Sequence, residues 1–212
     1  MTTASSGERG PDPIVGSTLD KDYQVVKRIG VGGMGIVYLV EHVRLQKSFA
    51  AKVLLAELAA NPEALRRFET EAKAASQLEH ENIVTVTDYG LTNDARPYII
   101  MELLKGRTLD ERIAEGRLPL EEIVAILVPV CRALACAHAD GIVHRDVKPD
   151  NIFLVAKPGG RYSVKVLDFG IAKAPLATGR VTKHGQSIGS PHYMAPEAVS
   201  YTHLTLPTTE RV

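Results

Sequence analysis

An excess of charge of either sign is missing from this chain. Among 212 residues, 25 Lys and Arg balance 25 Asp and Glu. Such a balance gives no reason to expect nucleic acid or an anionic membrane as the main partner. Long hydrophobic runs are missing too. The longest, IVAILVPV at 123–130, falls well short of the roughly 18 apolar residues a transmembrane span needs, and it contains Pro129. The N-terminus, MTTASSGERGPDP, lacks the basic-then-apolar order of a secretory signal. Cysteine is scarce. Cys131 and Cys136 both lie in an apolar helical pattern and read as reduced core thiols of a cytoplasmic protein, with too few ligands nearby for zinc.

What is present suffices for a core, because 45% of the residues are hydrophobic. Residues 1–22, rich in Gly, Ser, Thr and Pro up to about residue 18, are expected to be a flexible N-terminal segment. From Tyr23 the texture changes. YQVVKRI, GIVYLVEHV and SFAAKVLL alternate as strands do. Asn61-Pro62-Glu63 then opens a helix through ALRRFETEAKAASQL, and IVTVTDYGL and RPYIIMELL follow as two more strands. Three strands, a helix and two strands describe a small α+β lobe. After Gly106 come a short helix, LDERIAEG, and a long one, LPLEEIVAILVPVCRALACAHADG. IVHRDVKPDNIFLV and YSVKVLDFGIAK read as short strands flanking polar loops.

Four stretches carry chemistry. Gly30-Val31-Gly32-Gly33-Met34-Gly35-Ile36-Val37 is G-x-G-x-x-G-x-V between two strands. Glycines let a turn approach a polyphosphate with its backbone N–H groups as donors, although on this motif alone a ligand-free Gly-rich hairpin is the better reading. A dinucleotide site would require a helix after the glycines, and a strand follows. Lys52 sits in the apolar strand FAAKV, where an ammonium needs an anion; Glu71 on the next helix and phosphate oxygens are the candidates, and snorkelling to solvent is the bland alternative. In HRDVKPDN, Asp146 and Asn151, together with Asp168 of Asp168-Phe169-Gly170, offer hard oxygen ligands and a carboxylate base, and Lys148 adds a cation.

These motifs, in this order and spacing from Tyr23 to Ala198, resemble the protein kinase family. GGMGIVY and HADGIVHRDVKPDNIFL resemble its bacterial eukaryotic-like Ser/Thr branch. The resemblance implies a two-lobed α+β fold, with a β-rich N-lobe over about 23–103 and a helical, incomplete C-lobe over about 104–198. It implies ATP and Mg2+. Ile29, Gly30, Val31, Gly32, Gly33, Met34 and Gly35 would form the loop over the phosphates. Lys52 would hold the α- and β-phosphates and pair with Glu71. Val37 and Ala50 would lie above the adenine and Phe153 below it. Met101 fits the gatekeeper position, and Glu102 and Leu104 would give hinge backbone bonds. Asp146 matches the catalytic base, Asn151 and Asp168 the magnesium ligands. Lys148 and Ser190 fit Ser/Thr rather than Tyr acceptors in protein substrates. Arg145 matches a residue that grips a phosphorylated activation loop, and Thr182 is the favoured autophosphorylation site, which implies self-association during activation.

Beyond Ala198 the resemblance stops. VSYTHLTLPT is similar to a translated transposase-library adapter, so 199–212 are expected to be a non-native tail. The chain is then expected to be poorly soluble and nearly inactive by itself, with apolar surface on its long helix exposed. Membrane attachment of a longer protein is left open. Two further readings stay beside the kinase: a catalytically inert nucleotide-binding or interaction module, and a small-molecule phosphotransferase, which the platform between DFG and APE disfavours.

Overall fold

A computed structural model describes residues 12–169 together with Tyr193. The strands of the first lobe are β1 (Thr18–Leu19), β2 (Tyr23–Val31), β3 (Gly35–His42), β4 (Lys47–Leu54), β5 (Val86–Leu91) and β6 (Pro97–Glu102). They form one antiparallel sheet in the order β1-β2-β3-β4-β6-β5. Two helices lie between β4 and β5: α1 (Ala56–Ala59) and α2 (Pro62–Gln77). The second lobe holds β7 (Gly106–Thr108), α3 (Leu109–Ala114), α4 (Leu120–Ala139), β8 (Ile152–Ala156) and β9 (Tyr162–Val166), with β7-β8-β9 as a separate sheet.

Strand register divides the first sheet into two faces. Tyr38, Val40, Phe49, Ala51, Val53, Tyr98 and Ile100 pack together on one face with Ile14, Leu19, Tyr23 and Val25. The pairings Val37↔Lys52, Leu39↔Ala50 and Ala50↔Met101 put Val37, Ala50, Lys52 and Met101 on the other. A period of two makes this division unavoidable once the hairpin register is set. α2 closes part of that second face. Its side Ala64, Phe68, Glu71, Ala72, Ala75 is buried, at helical spacing. Asn61 caps it by accepting the Glu63 and Ala64 N–H groups at 2.9 and 3.3 Å, with Pro62 in the first turn.

The second lobe is organised by α4. Its buried positions Ile126, Val130, Ala133 and Ala137 pack with Leu109, Ile152, Leu154, Val164, Val166 and Phe169. Thr108 and Glu111 form a reciprocal capping box at the start of α3.

Several expectations need correction. The segment read as flexible to residue 22 is packed from Asp12 onward. Ile14 and Leu19 are buried, and the Tyr38 hydroxyl donates to Asp12 at 2.9 Å. Two apolar residues among polar ones were enough to anchor it. The strand read over IVTVTDYGL splits: Ile83 bridges Val166 in the second lobe, and only Val86–Leu91 joins β6. The strand read to Leu104 ends at Glu102. α1 and β7 are additional, β7 being held by pairing with β8. Ile142 and Val143 are not strand. Cys131 is exposed rather than a core thiol, because it sits off the buried stripe of α4; Cys136 is half-buried. Leu120, Val124, Leu127 and Val128 are exposed on the same helix.

Candidate active site

Lys52 is the centre of the site. It is buried, and its Nζ lies 2.9 Å from Glu71 Oε1 on α2 and 2.9 Å from Asp168 Oδ1 after β9. One ammonium therefore faces two carboxylates from two lobes. Burial alone would depress the lysine, but Asp168 and then Glu71 outweigh it and hold its pKa above the ordinary lysine value. Glu71 is pushed up, by burial first and also by the Asp168 carboxylate, against the pull of Lys52. The cluster thus has a surplus of negative charge at its half-exposed member, Asp168.

Beneath it, the loop between α4 and β8 positions the second group. Asn151 Nδ2 donates to the Asp146 carbonyl at 2.8 Å and to Asp146 Oδ2 at 2.9 Å. Lys148 Nζ is 3.8 Å from the same Oδ2. His144, 1% exposed, ties this loop to the Asp168 segment. Its Nε2 donates to the Leu167 carbonyl at 2.9 Å, and its Nδ1 accepts the Asp146 N–H at 3.2 Å. Burial lowers the His144 pKa, so the neutral ring with its proton on Nε2 satisfies both contacts. Its ring also packs on Phe169, centroids 4.7 Å apart. Two non-glycine residues here have left-handed backbones, Arg145 at φ 62 and Asp168 at φ 38, each next to a residue locked by these contacts.

The glycine-rich turn joins β2 to β3. The Gly32 N–H donates to the Gly35 carbonyl at 2.8 Å. Gly35 is required by the protein itself, since a Cβ there would lie 2.6 Å from the Val53 carbonyl oxygen. Gly33 has open space around it, and the exposed Ile29 and Val31 flank the turn. Met34 differs from its neighbours: its side chain packs against Leu54, Phe68, Ala72 and Ile99. It serves the core and pins the turn, and its carbonyl accepts the Leu55 N–H at 3.0 Å.

Glu102 and Leu104 lie half-buried where the chain passes between the lobes, and Phe153 lies on β8 opposite both Thr108 and Lys165. Gly106 makes the close passage there possible, because a Cβ would come within 2.0 Å of the Leu154 carbonyl oxygen. Lys165, Thr85 and Asn82 were missed from the sequence, although a lysine inside the apolar run VKV is the same signal that singled out Lys52. Thr178, Thr182, Ser187, Ser190 and the tail 199–212 lie outside the described residues.

A β-sheet lobe and a helical lobe thus meet at a buried lysine that faces two acids. The chain belongs to the protein kinase family, whose protein kinase domain profile matches residues 23–209. It is similar to the serine/threonine-protein kinase Pkn1 of Myxococcus xanthus, at 49% identity over 186 residues, 88% of this chain and 26% of Pkn1. It is also similar to the serine/threonine-protein kinase PrkC of Bacillus subtilis, at 42% identity over 185 residues, 87% of this chain and 28% of PrkC. The chain therefore spans little more than a quarter of the length of these curated relatives. A crystal structure of the M. tuberculosis PknI kinase domain superposes with a TM-score of 0.65 at 36% identity, over 76% of this chain and 62% of that one. No helix among the described residues is long and apolar enough to cross a membrane.

Proposed function

We propose that this chain carries the ATP site of a serine/threonine protein kinase, transferring the γ-phosphoryl group of ATP to hydroxyls of protein substrates. The observation that carries the reading is Lys52 bound at once to Glu71 and Asp168, above an Asp146 tied to Asn151. In this reading Lys52 holds the α- and β-phosphates, with Glu71 fixing its position. The turn of Gly30, Gly32, Gly33 and Gly35 lets the backbone approach the phosphates, Gly32 closing the turn by its bond to Gly35, and Ile29 and Val31 shield them. Val37 and Ala50 cover the adenine and Phe153 supports it from below. The Glu102 N–H is given to the Thr85 carbonyl, so its own carbonyl is the group for the adenine amine, and the Leu104 backbone completes the hinge contact.

The donor set fits Mg2+. Asn151 turns its amide nitrogen to Asp146, leaving its oxygen as the hard donor, and Asp168 supplies the surplus carboxylate. Among the described residues no group of three or more His, Cys, Asp or Glu is gathered as a cage. Asn151 and Asp168 are the two side chains that would hold the cation, with substrate phosphates completing its shell. When bound, the cation neutralises charge on the phosphate oxygens.

Asp146 accepts the proton of the attacking hydroxyl, and Lys148 steadies the migrating phosphoryl charge. The neutral His144 holds the Asp146 backbone, so the base is pre-oriented. Arg145, exposed beside Asp146, grips a phosphate at Thr182 after autophosphorylation between two copies. Phosphopeptide mapping of active protein that finds Thr182 unmodified would remove that last step. The reading as a whole is tested by phosphate transfer from radiolabelled ATP to a Ser/Thr peptide mixture. Activity surviving both Asp146→Asn and Lys52→Met would overturn it, and nucleotide binding without any transfer would favour the inert module.

A further inference from the structure

The second ion pair between the lobes involves residues that the phosphate chemistry does not use. Lys165 lies on β9, three residues before Asp168. Its Nζ donates to Glu102 Oε1 at 2.6 Å and to the Ile83 carbonyl at 2.9 Å. Glu102 Oε1 also accepts the Thr85 N–H at 2.8 Å, and the Glu102 N–H donates back to the Thr85 carbonyl at 3.0 Å. The segment that carries Thr85 is itself bound to β9. The Val166 N–H donates to the Asn82 carbonyl at 2.7 Å, the Val84 N–H to the Val166 carbonyl at 3.0 Å, and Asn82 Nδ2 to the Val164 carbonyl at 2.8 Å. Every restraint on Glu102 other than its own strand pairing therefore runs to β9 or to the segment clamped on it.

Register adds a second link. Lys165 pairs directly with Phe153 across β8 and β9. One residue thus connects the position read as the adenine floor with the position read as its hydrogen-bonding edge. The side chains of Lys165 and Glu102 are 16% and 32% exposed, so the contact is shielded more than a surface ion pair, whose contribution is usually negligible.

We propose that Lys165 is a positioning residue for nucleotide recognition: by holding Glu102 against β9 it fixes the distance between the hinge backbone and Phe153, and so sets the affinity for the adenine ring. This rests on the adenine-site reading above. Lys165 touches neither nucleotide nor phosphate in this role. Its loss weakens binding of any adenine nucleotide and leaves the phosphoryl-transfer geometry at Asp146 and Asp168 in place.

The test is titration calorimetry of Mg-ADP with the full chain, beside steady-state kinetics in ATP. Lys165→Met is expected to raise the ADP dissociation constant and the KM for ATP together, by about fivefold, with a much smaller change in kcat. Lys165→Arg should recover most of the affinity. Glu102→Gln should give a similar loss, and the double variant should be no worse than either single one. Should Lys165→Met fail to fold by circular dichroism, Lys165→Gln takes its place in the cycle. Unchanged ADP affinity in the variant would overturn the proposal, as would fully additive losses in the double variant. A rise in kcat at unchanged affinity would also overturn it, because the pair would then restrain lobe motion. If the unaltered chain binds no nucleotide, the adenine-site reading fails and this inference with it.

Discussion

Two lysines cross between the lobes, and they are built differently. Lys52 is sunk in the first lobe with side-chain exposures of 7% for itself and 6% for Glu71. It faces one more carboxylate than it can neutralise. Lys165 on β9 has one carboxylate and one carbonyl, and its charge is matched. An over-supplied acid cluster is poised to take up a cation or trade partners, whereas a matched pair with backbone contacts holds geometry. On the proposed reading the first contact serves chemistry and the second holds geometry, even though both are 2.6–2.9 Å ion pairs.

The largest separation between them should come from removing each charge. Lys52→Met is expected to lower phosphoryl transfer by about a thousandfold or more in single-turnover assays, far beyond the effect at Lys165. Equal losses at the two lysines would erase the distinction. A second, smaller effect is expected at Glu71. Glu71→Gln keeps a hydrogen-bond acceptor but removes one of the two charges, leaving Lys52 with Asp168 alone. Its kcat/KM should fall by about tenfold to a hundredfold, with little loss of fold by thermal melting.

Acidity sharpens the contrast further. Burial lowers the His144 pKa below its ordinary 6.5, so the unfolded chain binds that proton more readily than the folded one. Stability supplied by neutral His144 is therefore complete above that value and is lost as pH falls below it. Melting temperatures measured from about pH 7.5 to about pH 5.5 should decline, reporting on the loop under Lys52. Glu102 responds in a lower window. Burial alone would raise its pKa, but Lys165 and the Thr85 N–H overcome this and hold it below its ordinary 4.5. Its contribution is present above 4.5 and disappears as pH falls through the lowered value, and Lys165→Met should shrink that portion of the acid limb. The smallest effect is expected on the face of the sheet opposite Lys52. Tyr38→Phe removes the hydroxyl bond to Asp12 and should cost about 1 kcal/mol in urea denaturation, leaving nucleotide affinity unchanged.

Much of this was legible in the residues. The glycine run, the lone lysine in FAAKV and the acids of HRDVKPDN and DFG were legible because each places a costly or permissive residue where its neighbours make no use of it. A buried ammonium demands an anion wherever it is found. The alternating strands and the Asn61-Pro62 start of α2 were legible because they depend on residues adjacent in the chain. The anchoring of residues 12–22 was not. Ile14 and Leu19 are ordinary residues in a polar stretch, and only the sheet face beneath them makes them core. The split of IVTVTDYGL was equally hidden, because a strand pattern does not say which sheet will claim each half.

The sequence by itself determined the family and most of the strands and helices, and it singled out Lys52, Glu71, Asp146, Asn151 and Asp168 as candidates. Local spacing and the chemistry of side chains are written along the chain, and neither needs a partner to be recognised. Tertiary structure alone decided that Lys52 is shared between Glu71 and Asp168, that Met34 turns into the core, and that Lys165 reaches across to Glu102. Those contacts join residues 19, 116 and 63 positions apart, or depend on which face of a turn the core occupies. They are fixed by the packing of two lobes, and no periodicity along one of them contains that information.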